Sequence, residues 1–299
     1  MFPNDNAFVS SFVPRNALSA THFVRSVSWA WRAQHRTRSP ARTKAVITDS
    51  MAGASDIKRF LPGPRFNQVV VYNGIVYLAG QVARDTPDGS VGAQTRQILA
   101  KIDRLLETAG TNKSRLLTAN IWMTDISKAP EMNEEWAKWV DKDNMPVRAC
   151  VQSSLLDDSI TVEIQATAAL SSPATIVKTE EAAAAVGPYN QAVVVDDGTV
   201  YVSGCIGLLP KTGIMAGASV EEQTEQALQN IKAIVEAVGA SVHSIVKTTI
   251  LLDDINDFAA VNAIYSRFFE GGAVPARSCF AAKQLPKSAL VEIEAIAKL

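Results

Sequence analysis

Pro146-Val147-Arg148-Ala149-Cys150 is followed, 129 positions later, by Pro275-Ala276-Arg277-Ser278-Cys279. Thirteen residues beyond each of these cysteines a glutamate, Glu163 or Glu292, stands within an apolar run. Arg, Cys and Glu therefore keep one register in two parts of the chain. A repeat at a fixed offset indicates two copies of one folding unit, so each position can be compared between the copies.

The register extends through both halves. Residues 74–80 match 198–204, and Asn133 matches Asn262. The offset changes where the second half carries a longer loop at 209–213. Surface loops tolerate insertions, so this change is compatible with one shared fold.

Hydrophobic periodicity predicts strand, strand, helix, strand, helix, strand, strand in each half, which describes an α+β unit with a sheet and two helices. In the second half, strands are expected at 192–195, 199–203 and 245–252. Ser219 with Glu222 forms the capping box of a first helix, which Gly239 ends. Asp257 is expected to cap a second helix.

Residues 1–50 differ in composition from the rest of the chain. They hold six Arg and one Lys against two acids, whereas residues 51–299 hold 22 Lys and Arg against 28 Asp and Glu. An Arg-rich, Ser-rich, acid-poor leader is typical of an organellar transit peptide, so we expect a mitochondrial protein, with the cytoplasm or a plastid as alternatives. A disordered tail, or a true start at Met51, is the other interpretation. The predicted organisation is a leader at 1–50, a divergent domain at 55–170, a linker at 171–177 and a second domain at 178–299.

Histidine is scarce, which excludes several kinds of site. Of His22, His35 and His243, two lie in the leader. Ser-His-Asp catalysis, Cys-His catalysis and His-rich metal sites are therefore not expected, and no cofactor motif is present. Three cysteines do not indicate a disulfide framework. The absence of an 18-residue apolar run argues against a membrane span, and the acidic body argues against nucleic acid as a main partner.

Two charged residues, Arg277 and Glu292, stand in runs that otherwise indicate buried strands. A guanidinium presents a fork of donors that fits a carboxylate, and a glutamate beside it can hold and activate a water. The alternative is that the two side chains simply pair with each other across neighbouring strands. Cys279 is expected to be a small buried side chain rather than a nucleophile, because no histidine is available to activate it.

The second half resembles the reactive intermediate deaminase (Rid, YjgF) family. The resemblance rests on Gly187-Pro188-Tyr189-Asn190-Gln191, Ser203-Gly204, Asn262, Pro275-Ala276-Arg277-Ser278-Cys279, Leu285-Pro286 and Glu292-Ile293-Glu294-Ala295-Ile296-Ala297. It implies a chorismate-mutase-like unit, three of which form a barrel with ligand sites between them. It also implies hydrolysis of 2-imino acids, such as 2-iminobutanoate and 2-iminopropanoate, to 2-oxo acids and ammonia, without a metal or organic cofactor.

The resemblance also implies roles for individual residues. Arg277 would bind the substrate carboxylate, Glu292 would orient the attacking water and move its proton, and Tyr189 would line the cleft and assist proton movement. Further ligand contacts would come from Ser203, Gly204, Asn262 and Cys279.

The first half resembles a more divergent branch of the same family. Phe66 stands at the position of Tyr189, and Ala79 at that of Ser203. The residues that it retains are Arg148, Glu163, Cys150 and Asn133. We therefore expect this half to hold a degenerate site, and the second half to carry most of the activity.

Two functions remain open at this stage. The first is an imine deaminase that protects pyridoxal-phosphate enzymes from reactive enamines. The second is a non-catalytic or regulatory member that binds small carboxylates. Members of the resembled family have also been linked to RNA cleavage and translation inhibition, but the sequence gives these functions no support beyond the resemblance. Because a three-unit barrel cannot close from one two-unit chain, we expect a homotrimer, built either as two stacked rings of like halves or as rings of mixed halves.

Overall fold

A computed structural model describes residues 57–84, 86 and 89–299. The predicted leader and transit peptide at 1–50 lie outside the described residues. Residues 57–299 belong to one compact unit that contains both halves of the repeat. None of the four α-helices in this part of the chain is long and apolar enough to cross a membrane.

The first half is a seven-stranded mixed sheet with two helices on one face. Its elements in chain order are β1 (Lys58–Pro62), β2 (Asn67–Tyr72), β3 (Ile75–Leu78), β4 (Gln81–Val82), α1 (Val91–Ala109), β5 (Leu116–Met123), α2 (Ala129–Trp139), β6 (Val147–Gln152) and β7 (Val162–Ala169). The order across the sheet is β1-β2-β3-β7-β5-β6, with β4 beside β7. Strand β6 runs parallel to β5 and forms one edge.

The second half repeats this plan with a six-stranded sheet. Its elements are β8 (Thr175–Val177), β9 (Ala192–Val194), β10 (Thr199–Ile206), α3 (Val220–Ala237), β11 (Ile245–Leu252), α4 (Phe258–Phe268), β12 (Ala276–Ala281) and β13 (Val291–Lys298). The order is β12-β11-β13-β10-β9-β8, so that β12 occupies the edge position that β6 has in the first half. The predicted α+β class with two tandem units of one plan is confirmed.

Local signals at the helix ends agree with the structure in most places. Ser219 and Glu222 form the reciprocal capping box at the start of α3, and Gly239 follows the helix with a positive φ of 82°. Helix α4 begins directly after Asp257, but the Asp257 side chain makes no capping hydrogen bond. The Asp-Gly turn before β10 is also present, with Gly198 at φ 80°.

Short edge strands were not predicted. Strand β1 extends the first sheet, and β8 pairs with β9 in the second sheet although it lies inside the predicted linker at 171–177. Both strands have only three to five residues, too few for alternation to be recognised in the sequence. The linker is therefore shorter than expected, because its last three residues belong to a sheet.

Each half has its own core between its helices and its sheet. In the first core, Ile98 and Ile102 of α1 pack against Ile164 of β7; in the second, Ile231 and Ile234 of α3 take part in the same kind of packing. Strand residues alternate between the two faces of a sheet, so every second side chain of β7 and β13 points away from the helices. This second face of each sheet carries the polar residues of interest.

The two halves are joined by an interface that resembles a protein core. Val151 of β6 packs with Leu251 and Leu285 of the second half, and Leu117 and Val147 pack with Val193 in a second apolar cluster. Backbone hydrogen bonds also cross the interface, including Gln152 N–H to Gln284 O at 2.9 Å and Asn190 N–H to Pro146 O at 3.0 Å. The unlike halves of one chain are thus in direct contact.

The interface covers only one copy of each repeated surface. Strand β6 is buried along almost its whole length, whereas its counterpart β12 is exposed at nearly every residue. The matched pair Val151 and Phe280 makes the contrast clear, since 5% of Val151 and 47% of Phe280 is exposed. The chain therefore contains one closed and one open copy of the same contact surface.

Candidate functional site

A cavity of about 390 Å³ lies between the two halves of the chain. Its polar lining combines Arg148, Asn133 and Cys150 of the first half with Tyr189, Gly204 and Glu292 of the second. The remaining wall is largely apolar and includes Ile126, Ala129, Pro130, Val186, Ile206, Leu285 and Pro286, with Lys287 as a second cation. A concave, mainly apolar cavity with a few convergent polar groups is the usual form of a small-molecule site.

Arg148 is held at the cavity by both halves. Its backbone N–H donates to the Ser203 Oγ at 3.0 Å, and its guanidinium carbon lies 5.0 Å from the Tyr189 ring centroid and 5.7 Å from that of Trp136. Gly187 leaves the necessary space, because a Cβ at this position would stand 2.7 Å from Arg148 Nη2. Burial lowers the pKa of the guanidinium, but an arginine keeps its charge at any ordinary pH.

Glu292 reaches the same cavity from the opposite direction. Its neighbours Val291 and Ile293 pack in the helix-side core, so Glu292 points to the other face of the sheet. The facing strand β10 has a register shift between Val202 and Cys205, and a Cβ on Gly204 in this irregularity would collide with the Glu292 carboxylate. The bulge and the glycine together provide space for this acid.

The electrostatic environment keeps Glu292 protonated at neutral pH. Burial above all, with a contribution from the nearby Glu294, raises the pKa of Glu292 to about 8 against the opposing effect of Arg148. Burial likewise raises the pKa values of Tyr189 and Cys150 to about 12. The Cys150 thiol therefore stays protonated, which disfavours a nucleophilic role, and the Tyr189 phenol can act as a hydrogen-bond donor.

Several buried polar atoms of the cavity have no hydrogen-bond partner among the described residues. They are Arg148 Nε and Nη1, Asn133 Oδ1 and Glu292 Oε2. An unpaired buried donor or acceptor costs about 1–3 kcal/mol, more when it is charged. Donors and acceptors left unpaired on opposite walls of one cavity indicate a surface built for a ligand that carries both an anionic and a neutral polar group.

Arg277 does not lie near Glu292. It sits on the exposed edge strand β12, where its Nη1 donates to Asn262 Oδ1 at 2.7 Å and its guanidinium stacks near Phe258 and Tyr265 of α4. Strand β11 separates β12 from β13, so the alternative of a direct pair across neighbouring strands is wrong. Arg277 lies on the helix side of the sheet and Glu292 on the other side, and for this reason the two residues of one half cannot share a site.

The remaining predicted site residues fall into three places. Cys279 lies with Arg277 and Asn262 at the open edge and packs against the second core. Glu163 lies on the open side of the first half, where Gly80 makes room for its carboxylate and burial raises its pKa. Ser203 is buried in the interface, where its hydroxyl donates to Asn190 O at 2.6 Å and accepts from Arg148 N–H, so it positions Arg148 and does not line the cavity.

That Arg148 of the first half meets Glu292 of the second was not predicted from the sequence, nor were the wall residues Ala129, Val186 and Lys287. One signal pointed to it. Phe66 and Ala79, the two departures of the first half, both belong to its glutamate side, which the closed cavity does not use. The residues that the first half retains, Arg148 and Asn133, belong to its arginine side, which the cavity does use.

Within residues 57–84, 86 and 89–299, no three His, Cys, Asp or Glu side chains stand close enough together to hold a metal ion.

Comparison with known proteins finds a family profile that matches both halves, and relatives that each match about two fifths of the chain. The profile of the family described as Endoribonuclease L-PSP matches residues 57–170 and again residues 179–299. The mouse 2-iminobutanoate/2-iminopropanoate deaminase is 47% identical over 122 residues, which are 41% of this chain and 89% of the mouse protein. The chloroplastic Reactive Intermediate Deaminase A of Arabidopsis thaliana is 48% identical over 124 residues, 42% of this chain and 65% of that protein.

Solved structures match in the same way. The YjgF gene product of E. coli is 48% identical, and the match covers 42% of this chain and 98% of that one with a TM-score of 0.40. The E. coli TdcF structure with bound serine is 42% identical over 42% of this chain and 98% of its own, with a TM-score of 0.40.

Proposed function

Because the chain belongs to the Endoribonuclease L-PSP family, which includes the Rid/YjgF proteins, we propose that it hydrolyses 2-imino acids, such as 2-iminobutanoate and 2-iminopropanoate, to 2-oxo acids and ammonia. The observation that carries the proposal is the cavity in which unpaired atoms of Arg148, Asn133 and Glu292 face one another across the two halves. The name of the mouse relative gives the same reaction, and the Arabidopsis relative is named as a deaminase of reactive intermediates.

Arg148 binds the substrate carboxylate in this proposal. Its Nε and Nη1 are both unpaired donors, and a guanidinium presents such donors as a fork that matches the two oxygens of a carboxylate. The carboxylate sets the position of the adjacent imine carbon relative to Glu292. The apolar wall accepts the side chain of the substrate.

Glu292 moves protons during each step of hydrolysis. Its protonated form first donates a proton to the imine nitrogen and becomes a carboxylate. The carboxylate then takes a proton from the water that attacks the imine carbon, which yields a neutral amino alcohol. Glu292 next protonates the amino group and then takes the hydroxyl proton as the C–N bond breaks. Ammonia and the 2-oxo acid leave, and Glu292 is again in its protonated form.

The test is to measure how fast a 2-imino acid generated by threonine dehydratase disappears with and without the protein. We expect hydrolysis faster than the spontaneous reaction, and the acceleration to be lost in Glu292→Gln. Equal rates with and without a folded protein would rule out the deaminase.

A non-catalytic carboxylate-binding protein is the second candidate. It needs Arg148, but it does not need a buried acid with a pKa of about 8 on the opposite wall. Burying such an acid reduces stability, and a protein that only binds gains nothing from it. Tight binding of a 2-oxo acid without any acceleration of imine hydrolysis would favour this candidate. The cavity volume of 390 Å³ suits a small molecule rather than a polynucleotide.

We also propose that second copies of the chain cover the open surfaces. The β12 edge exposes Phe280, Val274 and Phe258, and the first half exposes Phe66 and Tyr77 on its glutamate side. Each of these two open surfaces has an equivalent surface inside the chain, and there the two equivalents contact each other. The open surfaces of two chains can therefore contact each other in the same way. In two stacked rings of like halves, the two halves of one chain lie in different rings, whereas here they lie side by side. In rings of mixed halves, three chains that each keep this contact cannot be divided between two three-membered rings. The number of chains is therefore to be measured by light scattering.

A further inference from the structure

The wall of the cavity beside Arg148 differs from the corresponding wall beside Arg277. Ala129 is the first residue of α2, and Phe258 is the first residue of α4. The two helices have the same length and follow equivalent short turns, each capped by an aspartate, Asp125 or Asp254. The two positions are therefore structurally equivalent, and the closed site has a methyl group where the open copy has a phenyl ring.

The phenyl ring at the open copy occupies space beside the guanidinium. Phe258 lies with its ring centroid 5.6 Å from the Arg277 guanidinium carbon. An equivalent ring at position 129 would lie next to Arg148, because Ala129 lines the same cavity as Arg148 and Glu292. The space that the ring would fill is thus part of the closed cavity.

Apolar residues from both halves line the same cavity, together with the polar Ser127, Gln284, Lys287 and Ser288. Ile126 and Pro130 lie on the first-half side, and Ile206 and Leu285 on the second-half side. A carboxylate anchored on Arg148 and an imine carbon near Glu292 leave the substrate side chain to be placed against this wall. Apolar surface removed from water stabilises the bound state by about 25 cal/mol per Å².

We propose that Ala129 determines substrate specificity, and that the closed site accepts 2-imino acids with large apolar side chains, such as those formed from leucine or phenylalanine. This inference rests on the proposed imine hydrolysis. Ala129 acts by leaving space, since a methyl group contributes no polar contact. A substrate with a short side chain leaves the same space without apolar contact.

The experiment compares Ala129→Phe with the parent protein on imines formed from alanine, leucine and phenylalanine by an amino-acid oxidase. The measured quantity is the ratio of kcat/KM for a large imine to that for the alanine imine. We expect the parent protein to favour the large imines, and Ala129→Phe to lower this ratio by roughly tenfold or more. Ala129→Leu should lower it to an intermediate extent. Phe258 starts the equivalent helix, so an aromatic residue at this position is compatible with folding.

Ala100→Phe is the matched control, because Ala100 is exposed on α1 and does not line the cavity. It should leave the ratio unchanged. An unchanged ratio in Ala129→Phe would overturn the inference, as would a preference of the parent protein for the glutamate imine, which would assign the space to a second carboxylate near Lys287. Failure of the parent protein to accelerate any imine would instead contradict the proposed reaction, so the two failures are distinguishable.

Discussion

At the scale of residues, the two repeated arginines give the sharpest test of the site. Arg148→Ala should lower kcat/KM by roughly 100-fold, because a charge-assisted pair of hydrogen bonds to the carboxylate is lost. Arg148→Lys should fail as well, since an ammonium cannot supply the fork. Arg277→Ala is the matched control and should retain most of the activity, because Arg277 lies at the open edge with Asn262. A larger loss from Arg277→Ala than from Arg148→Ala would contradict the composite site.

Glu292 gives a prediction that depends on pH. If its protonated form starts the reaction, kcat/KM should decline as the pH rises through about 8, the raised pKa of this acid. Glu292→Gln should remove both the activity and the titration, because an amide keeps the shape of the acid but does not exchange its proton in this range. A pH profile of the parent protein that remains flat between pH 6 and 10 would argue against this role.

Glu292→Gln should change stability in the opposite sense to activity, because the acid that activity requires is costly to bury once it ionises. A pKa raised by folding means that stability is complete below the ordinary value near 4.5 and is lost as the pH rises through about 8. Glu292→Gln should therefore unfold at a higher temperature than the parent protein at pH 9, with a smaller difference at pH 5. Thermal unfolding at both pH values measures this. A variant less stable at pH 9 would indicate that the acid is stabilised by contacts other than those described.

At the scale of elements, Gly204 and Gly80 hold equivalent positions in the segments that face Glu292 and Glu163, and each makes room for the glutamate. Substituting each glycine tests whether this space is needed. Gly204→Ala should displace the Glu292 carboxylate, which is almost completely buried and cannot move aside. We expect a stability loss of about 1–3 kcal/mol together with loss of activity. Gly80→Ala makes the same collision with Glu163, whose side chain is only partly buried and does not line the closed cavity. Activity should survive this second change, and urea unfolding with the imine assay separates the two effects.

The equivalent edge strands β6 and β12 allow a second comparison. Val151→Asp places a carboxylate in the apolar cluster between the halves and should cost about 3 kcal/mol or more. Phe280→Asp makes the equivalent change on the open edge, where the cost should stay within about 0.5 kcal/mol for a single chain. Urea unfolding at low chain concentration measures both. Equal costs would mean that the edge strand β12 is as well covered as β6.

At the scale of the whole molecule, the closed site lies within one chain, so activity should not require assembly. The rate per mole of chain should stay constant on dilution into the nanomolar range, even where light scattering shows dissociation of any larger assembly. A site formed by Arg277 of one chain and Glu292 of another would instead lose its activity on dilution to single chains. Phe280→Asp should reduce association through the open edge without reducing the rate per chain. Loss of activity that parallels dissociation would place the active site between chains.

The sequence by itself determined the two-unit organisation, the α+β class, the helix with its capping box at Ser219 and Glu222, and the types of residue that form the site. These features depend on local periodicity and on a repeat register that is visible along the chain. Only the tertiary structure decided which copies meet, namely Arg148 of the first half with Tyr189 and Glu292 of the second. The physical reason is that arginine and glutamate of one half lie on opposite faces of the same sheet. A repeat presents two equivalent arginines and two equivalent glutamates, and only the packing of the halves selects one of each.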